Sequence, residues 1–165
     1  MQKLEDHQLN RTITLNLNGK EKTLSVDIRE SLLDVLRERL GQTSVKHGCG
    51  VGECGACSVL IDGVLTDSCI YLAIWADGKS IRTAEGESKD GEISRIQKAY
   101  VDAGAVQCGF CTPGMVMATT AFIEKNKGKK VTREEIRKGH SGNLCRCTGY
   151  NSIVNAVEEC MSEKE

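Results

Sequence analysis

The sequence is poor in aromatic residues, in histidine and in long apolar runs, and neither charge is in excess. Its 165 residues include one Trp, three Tyr and two Phe, and 22 Lys+Arg stand against 23 Asp+Glu for a net charge of −1. With both signs mixed along the chain and few stacking aromatics, a nucleic-acid-binding surface is excluded. No apolar segment approaches the ~20 residues needed to cross a bilayer, so no membrane association is expected. The first ten residues, MQKLEDHQLN, are charged and lack the apolar stretch of a secretory signal. The expected location is therefore cytoplasmic. Thiols stay reduced there, and close-set cysteines serve as ligands more often than as disulfides. There is no internal repeat and no low-complexity tract.

What the chain does have is nine cysteines and 17 glycines. Nine thiols cannot all pair within one chain. At this length a single core is possible, burying roughly 70% of the unfolded surface. Two halves of ~80 residues would each be marginal alone, and modules of that size lean on a metal or a partner.

The first half reads as strands around one helix. Thr12–Leu17 and Leu24–Ile28 alternate polar and apolar residues on either side of the hairpin signal Asn18-Gly19. Ser31 is placed to cap a helix running to Gly41, with Leu33, Leu36 and Leu40 on one face. Val59–Ile61 and Val64–Leu65 flank Asp62-Gly63 as a second hairpin, and Ile81–Thr83 closes the sheet. This pattern predicts a small α+β fold of the β-grasp kind over residues 1–84. The polar stretch EGESKDGE at 85–92 reads as a linker. Residues 85–165 then turn helical. Ile93, Ile96 and Tyr100 share a face, and Thr112 with Pro113 opens a helix to about Ile123. A charged turn spans Lys125–Lys130, and Thr132 with Glu135 forms a capping box for a helix to Lys138. Tyr150, Ile153, Val154 and Val157 mark a last amphipathic helix.

The cysteines sort into two sets of four. HGCGVGECGACS, at 47–58, carries Cys49, Cys54 and Cys57 as C-x4-C-x2-C, and Cys69 follows after eleven residues. That is the plant-type [2Fe–2S] ferredoxin spacing. Four thiolates must converge on a small anionic cluster, two to each iron, and the glycines let backbone N–H groups approach the sulfurs. The second set is Cys108 and Cys111 in QCGFC with Cys145 and Cys147 in NLCRC, the pairs separated by 33 residues. Both pairs precede expected helix starts, whose N-termini favour an anionic group. Taken alone, this second set also fits a structural zinc site. A Rieske centre needs two histidine ligands, but His7, His47 and His140 lie in no C-x-H pattern and read as ordinary surface or turn residues. A single catalytic thiol would leave eight cysteines without a role. Cys160 stands outside both sets and reads as a buried or spare thiol.

In order, GCGVGECGACSVLIDG, DSC, AVQCGFCTPGMVM and GNLCRCTGY resemble the iron–sulfur subunit of molybdenum hydroxylases, the xanthine dehydrogenase family. The similarity runs from about Arg11 to Val157. It implies an N-terminal β-grasp, plant-type ferredoxin domain with one [2Fe–2S] cluster on Cys49, Cys54, Cys57 and Cys69. It further implies a C-terminal four-helix-bundle domain with a second cluster on Cys108, Cys111, Cys145 and Cys147.

The family's organisation carries further expectations. The second cluster lies nearer a molybdopterin cofactor, with Gln107 and Cys147 on the pterin side, and the first lies nearer FAD. Molybdopterin and FAD would reside on a large and a medium partner subunit, in a dimer of heterotrimers. No G-x-G-x-x-G follows an expected strand here, so no dinucleotide site of that kind is expected on this chain. Within the family a purine or xanthine dehydrogenase fits best, followed by a nicotinate, other N-heterocycle or aldehyde dehydrogenase. The rivals from other classes are a diffusible ferredoxin, which would be acidic and self-contained, and a colourless zinc-based interaction module. A subunit should instead expose apolar surface for docking.

Overall fold

The computed structural model describes residues 9–162. Strands β1 (Asn10–Leu17) and β2 (Lys20–Asp27) pair antiparallel across Asn18 and Gly19. Both turn residues have positive φ, 51° and 81°, as a two-residue primed turn demands. Ile13, Leu15 and Leu17 alternate inward from β1. Helix α1 (Leu32–Asp34) opens on Ser31, whose hydroxyl accepts the Asp34 N–H at 3.1 Å. It continues directly as a π-helical stretch, Val35–Arg39, in which the Leu40 N–H reaches back five residues to the Val35 carbonyl at 3.0 Å. The expected helix therefore forms, but most of it is wound wider than an α-helix.

Strands β3 (Ser58–Ile61) and β4 (Val64–Asp67) make the second hairpin, and β5 (Ser80–Arg82) enters between the two hairpins. The sheet order is β2-β1-β5-β3-β4, with β1 and β5 parallel and the other pairs antiparallel. Leu32, Leu33, Val35 and Leu36 from α1 and its π-helical extension close the core against this sheet. This is the β-grasp arrangement.

The segment read as a linker begins with a short helix, α2 (Ala84–Glu87), followed by a tight turn in which Lys89 and Glu92 exchange backbone hydrogen bonds of 3.0 and 2.8 Å. Glu85 accepts the Ser44 N–H at 2.7 Å and is also bonded by the Ser44 hydroxyl, which ties α2 to the sheet domain. Four longer helices follow: α3 (Arg95–Asp102), α4 (Thr112–Lys125), α5 (Arg133–Gly139) and α6 (Asn151–Ser162). They enclose Tyr100, Met115, Ile136, Ile153, Val154 and Val157. The capping box of Thr132 and Glu135 opens α5 as expected. Three expectations are corrected. Cys111, not Thr112, caps α4. Ile93 lies outside the helix and is 54% exposed, because Ser94 and Gln97 form a capping box that starts α3 after it. His140 stands in the turn that ends α5, as the surface-or-turn reading allowed, but is not at the surface: it is 3% exposed, and its Nε2 accepts the Thr119 hydroxyl at 2.9 Å. His47 is exposed as expected, and His7 lies outside the described residues.

The halves pack together. Leu60 of β3 and Ala84 meet Met117 of α4 in a small shared core. Arg82 of β5 bridges Glu87 at 2.9 Å and Glu124 of α4 at 2.7 Å. Among the described residues, no helix is long and apolar enough to cross a membrane.

Candidate metal centres

The first cysteine set lies on the loop that joins α1 to β3 and on the turn after β4. Cys49 is exposed, and its sulfur accepts the N–H groups of Val51 at 3.4 Å and Glu53 at 3.3 Å. Those two donors, aided by Cys54, lower its thiol to about 6. Cys57 is buried beside Cys69, and burial above all pushes it up to about 12. The Asp67 carboxylate lies 3.9 Å from the Cys57 sulfur and accepts the Ser58 hydroxyl at 3.1 Å.

The second set gathers at the mouth of the bundle. The sulfurs of Cys108 and Cys147 are 3.6 Å apart, and both residues are exposed. Cys111 sits deeper, where burial first and then neighbouring Cys145 push its thiol up to about 12. Burial would also raise Cys145, but the Thr148 hydroxyl and N–H, at 3.1 and 3.4 Å from its sulfur, hold that thiol below its ordinary value. Cys111 occupies the N-cap of α4, as the helix-start expectation required. Cys145 and Cys147 instead lie on a loop that reaches α6 only at Asn151.

In both sets the thiols are paired: Cys49 with Cys54, Cys57 with Cys69, Cys108 with Cys147, and Cys111 with Cys145. Two thiolates about 2.3 Å from one tetrahedral metal stand ~3.7 Å apart, close to the Cys108–Cys147 separation. Two pairs per set is the donor arrangement of a binuclear cluster. The residues fit the group.

A connection that sequence spacing did not reveal joins the sets. The Leu144 N–H donates to the Cys54 carbonyl at 2.9 Å. Next to it, Asn143 is buried and gives its side-chain N–H to the Gly55 carbonyl at 3.0 Å and the Ser58 hydroxyl at 3.3 Å. Gly55 has φ +66°, and a Cβ there would overlap Asn143. At Gly114 of α4 a Cβ would overlap the Gly55 carbonyl oxygen, so glycine lets the helix lie directly on the first loop. The signal for Asn143, Leu144 and Thr148 was their place in GNLCRCTGY, but nothing local marks a contact spanning 88 residues.

Gln107 is exposed and precedes Cys108, whose sulfur lies 3.6 Å from that of Cys147. Phe110 (48% exposed) adds apolar surface to that segment, and Val51 (64%) and Ile70 (60%) do so around the first set. Cys160 is buried in the bundle core with Tyr100 and Val157, outside both sets.

Comparison with known proteins agrees with this arrangement. Residues 15–80 match the family described as 2Fe-2S iron-sulfur cluster binding domain, and residues 83–158 match the [2Fe-2S] binding domain family. The xanthine dehydrogenase iron-sulfur-binding subunit of Escherichia coli O157:H7 is 55% identical over 96% of this chain and 99% of its own length. The nicotinate dehydrogenase small FeS subunit of Eubacterium barkeri is 50% identical over 88% of this chain and 92% of its own. In the crystal structure of quinoline 2-oxidoreductase from Pseudomonas putida 86, a chain 42% identical superposes with a TM-score of 0.87, covering 90% of this chain and 91% of that one. Two [2Fe–2S] clusters are thus the cofactors, and zinc is set aside. By sequence and by fold, the chain belongs to the two-cluster iron–sulfur subunits of the molybdenum hydroxylases, the xanthine dehydrogenase family.

Proposed function

We propose that this chain is the electron-transfer subunit of a cytoplasmic purine dehydrogenase of the xanthine dehydrogenase type. Its ligands would be Cys108, Cys111, Cys145 and Cys147 for one cluster and Cys49, Cys54, Cys57 and Cys69 for the other. When bound, the clusters supply one-electron redox chemistry. The chain's own contribution is to hold them in one body, each with an exposed thiol. Cys108 and Cys147, with exposed Gln107 next in the chain, face solvent in the second set, and Cys49 does so in the first. The single observation that carries the reading is the Leu144–Cys54 hydrogen bond, which ties the two proposed ligand loops together.

A large subunit holding molybdopterin would cover the Gln107–Cys147 face, and a medium subunit holding FAD would cover the Cys49 face, in a dimer of heterotrimers. Substrate chemistry takes place on the partner chain. Exposed Val51, Ile70 and Phe110 suit a docked subunit, and a net charge of −1 does not suit an acidic diffusible carrier. The similarity to a nicotinate dehydrogenase subunit supports a second reading, in which the complex oxidises nicotinate or another N-heterocycle.

The test is oxygen-free purification of this chain from its native cells. Co-elution of a molybdenum protein and a flavoprotein, with xanthine oxidation by the assembly, is the expected result. Oxidation of nicotinate but not xanthine selects the second reading. A stable red protein eluting alone rejects both.

A further inference from the structure

The loop from Cys145 to Tyr150 closes on itself. The Thr148 hydroxyl lies 3.1 Å from the Cys145 sulfur, and the Thr148 N–H reaches the same sulfur at 3.4 Å. The Tyr150 N–H donates to the Thr148 hydroxyl oxygen at 3.2 Å. The Tyr150 phenol oxygen accepts the Cys145 N–H at 2.8 Å, which completes the ring. A hydroxyl offers one proton and two lone pairs. With the Tyr150 N–H on a lone pair, the Thr148 proton is turned toward sulfur.

Tyr150 reinforces this assignment. Its φ is +70°, a conformation that bulky residues rarely adopt and that persists only where the surroundings impose it. In that conformation its N–H faces Thr148 while its ring returns to Cys145. The backbone is bent to hold the hydroxyl in place.

We infer that the Thr148 hydroxyl raises the reduction potential of the bundle-domain cluster by donating a hydrogen bond to the Cys145 thiolate. One-electron reduction adds negative charge that the sulfurs share. A donor aimed at one of them stabilises the reduced form, and cluster potentials follow such bonds. Thr148 is then a positioning residue for electron entry. The inference rests on the proposed reading of Cys145 as a ligand.

The experiment is an EPR-monitored redox titration of the assembled complex in wild-type, Thr148→Val and Thr148→Ser forms. Thr148→Val is expected to move one cluster's midpoint to more negative potential and leave the other unchanged. A change of roughly tenfold in the reduced-to-oxidised ratio corresponds to ~59 mV for a one-electron couple. Thr148→Ser, which keeps the hydroxyl, is expected to retain the wild-type midpoint. A loaded Thr148→Val complex with both midpoints unchanged overturns the inference. If that variant loses its cluster, Thr148→Ala, which also lacks the hydroxyl, is titrated in its place: the same negative displacement of one midpoint is expected, and unchanged midpoints overturn the inference. The ligand reading is tested separately with Cys145→Ser, because retention of both wild-type EPR signals there sinks that reading and the Thr148 inference with it.

Discussion

Leu144 donates its backbone N–H to the carbonyl of Cys54 at 2.9 Å, so the residue before Cys145 is bonded directly to a member of the other cysteine set. Cys54, this hydrogen bond, Leu144 and Cys145 form a short continuous path between the two proposed clusters. Leu144→Pro removes the N–H and is expected to slow electron exchange between the clusters after flash reduction. Leu144→Ala keeps the N–H and is expected to leave the exchange unchanged. Unaltered exchange in a fully loaded Leu144→Pro protein would eliminate this route.

Asn143 satisfies buried oxygen on the other half of the molecule. Asn143→Ala is expected to cost about 1–3 kcal/mol, lowering the melting temperature by ~2–4 °C per kcal/mol for a chain of this size. Calorimetry of the loaded protein reads this directly.

Gly114 and Gly78 make a contrasting pair. A Cβ at Gly114 meets backbone at Gly55, whereas Gly78, at φ +71°, has open space around it. Gly78→Ala should cost only the ~1–2 kcal/mol of left-handed backbone. Gly114→Ala should cost more and also disturb the first cluster's EPR signal. Equal melting temperatures for the two variants would refute the close approach of α4 to the loop.

His140 should make stability depend on pH. Burial holds its folded-state pKa below the ordinary 6.5, opposed by the Ile136 carbonyl. The unfolded chain then takes up the proton first as pH falls. The His140 contribution is present above 6.5 and disappears as pH drops through the lower folded value, with a slope of at most ~1.4 kcal/mol per pH unit. Melting curves of wild type and His140→Gln between pH 5 and 8 should diverge in slope below about 6.5. Parallel curves would contradict this origin.

Cysteine replacements should separate ligand from filler. Cys111→Ser is expected to reduce iron per chain and impair folding and assembly, since metal binding and folding are coupled in small modules. Cys160→Ser changes a buried core thiol and should leave the iron content intact. A correctly assembled Cys111→Ser complex with full iron would count against the proposed ligand set.

Local chemistry was legible wherever one residue type has few alternatives. Asn18-Gly19 and Asp62-Gly63 could hardly be anything but tight hairpin turns, and both are. Thr132 and Glu135 are close enough in sequence to cap one another, and they do. Ser94 and Gln97 carry the same kind of signal, yet the apolar Ile93 just before them drew the expected helix too far forward. The turn at His140 was legible but its burial was not, because that burial comes from Thr119 and Phe122 on another helix. Asn143 lies 88 residues from Gly55 in the chain, and no spacing rule reaches across that gap. Tyr150 at positive φ runs against backbone preference, so only the finished loop explains it. Cysteine spacing thus sorted the thiols into sets, while the groups that support them come from tertiary packing.

The Gly55 carbonyl is held by Ser58 from its own domain and by Asn143 from the other. One oxygen thus takes donors from both halves, and a bundle that lifts away from the sheet domain strips it of the Asn143 amide. A buried polar group left without a partner costs about 1–3 kcal/mol, so water must follow the departing bundle into the first cysteine loop. Parting of the halves and wetting of that loop are one event.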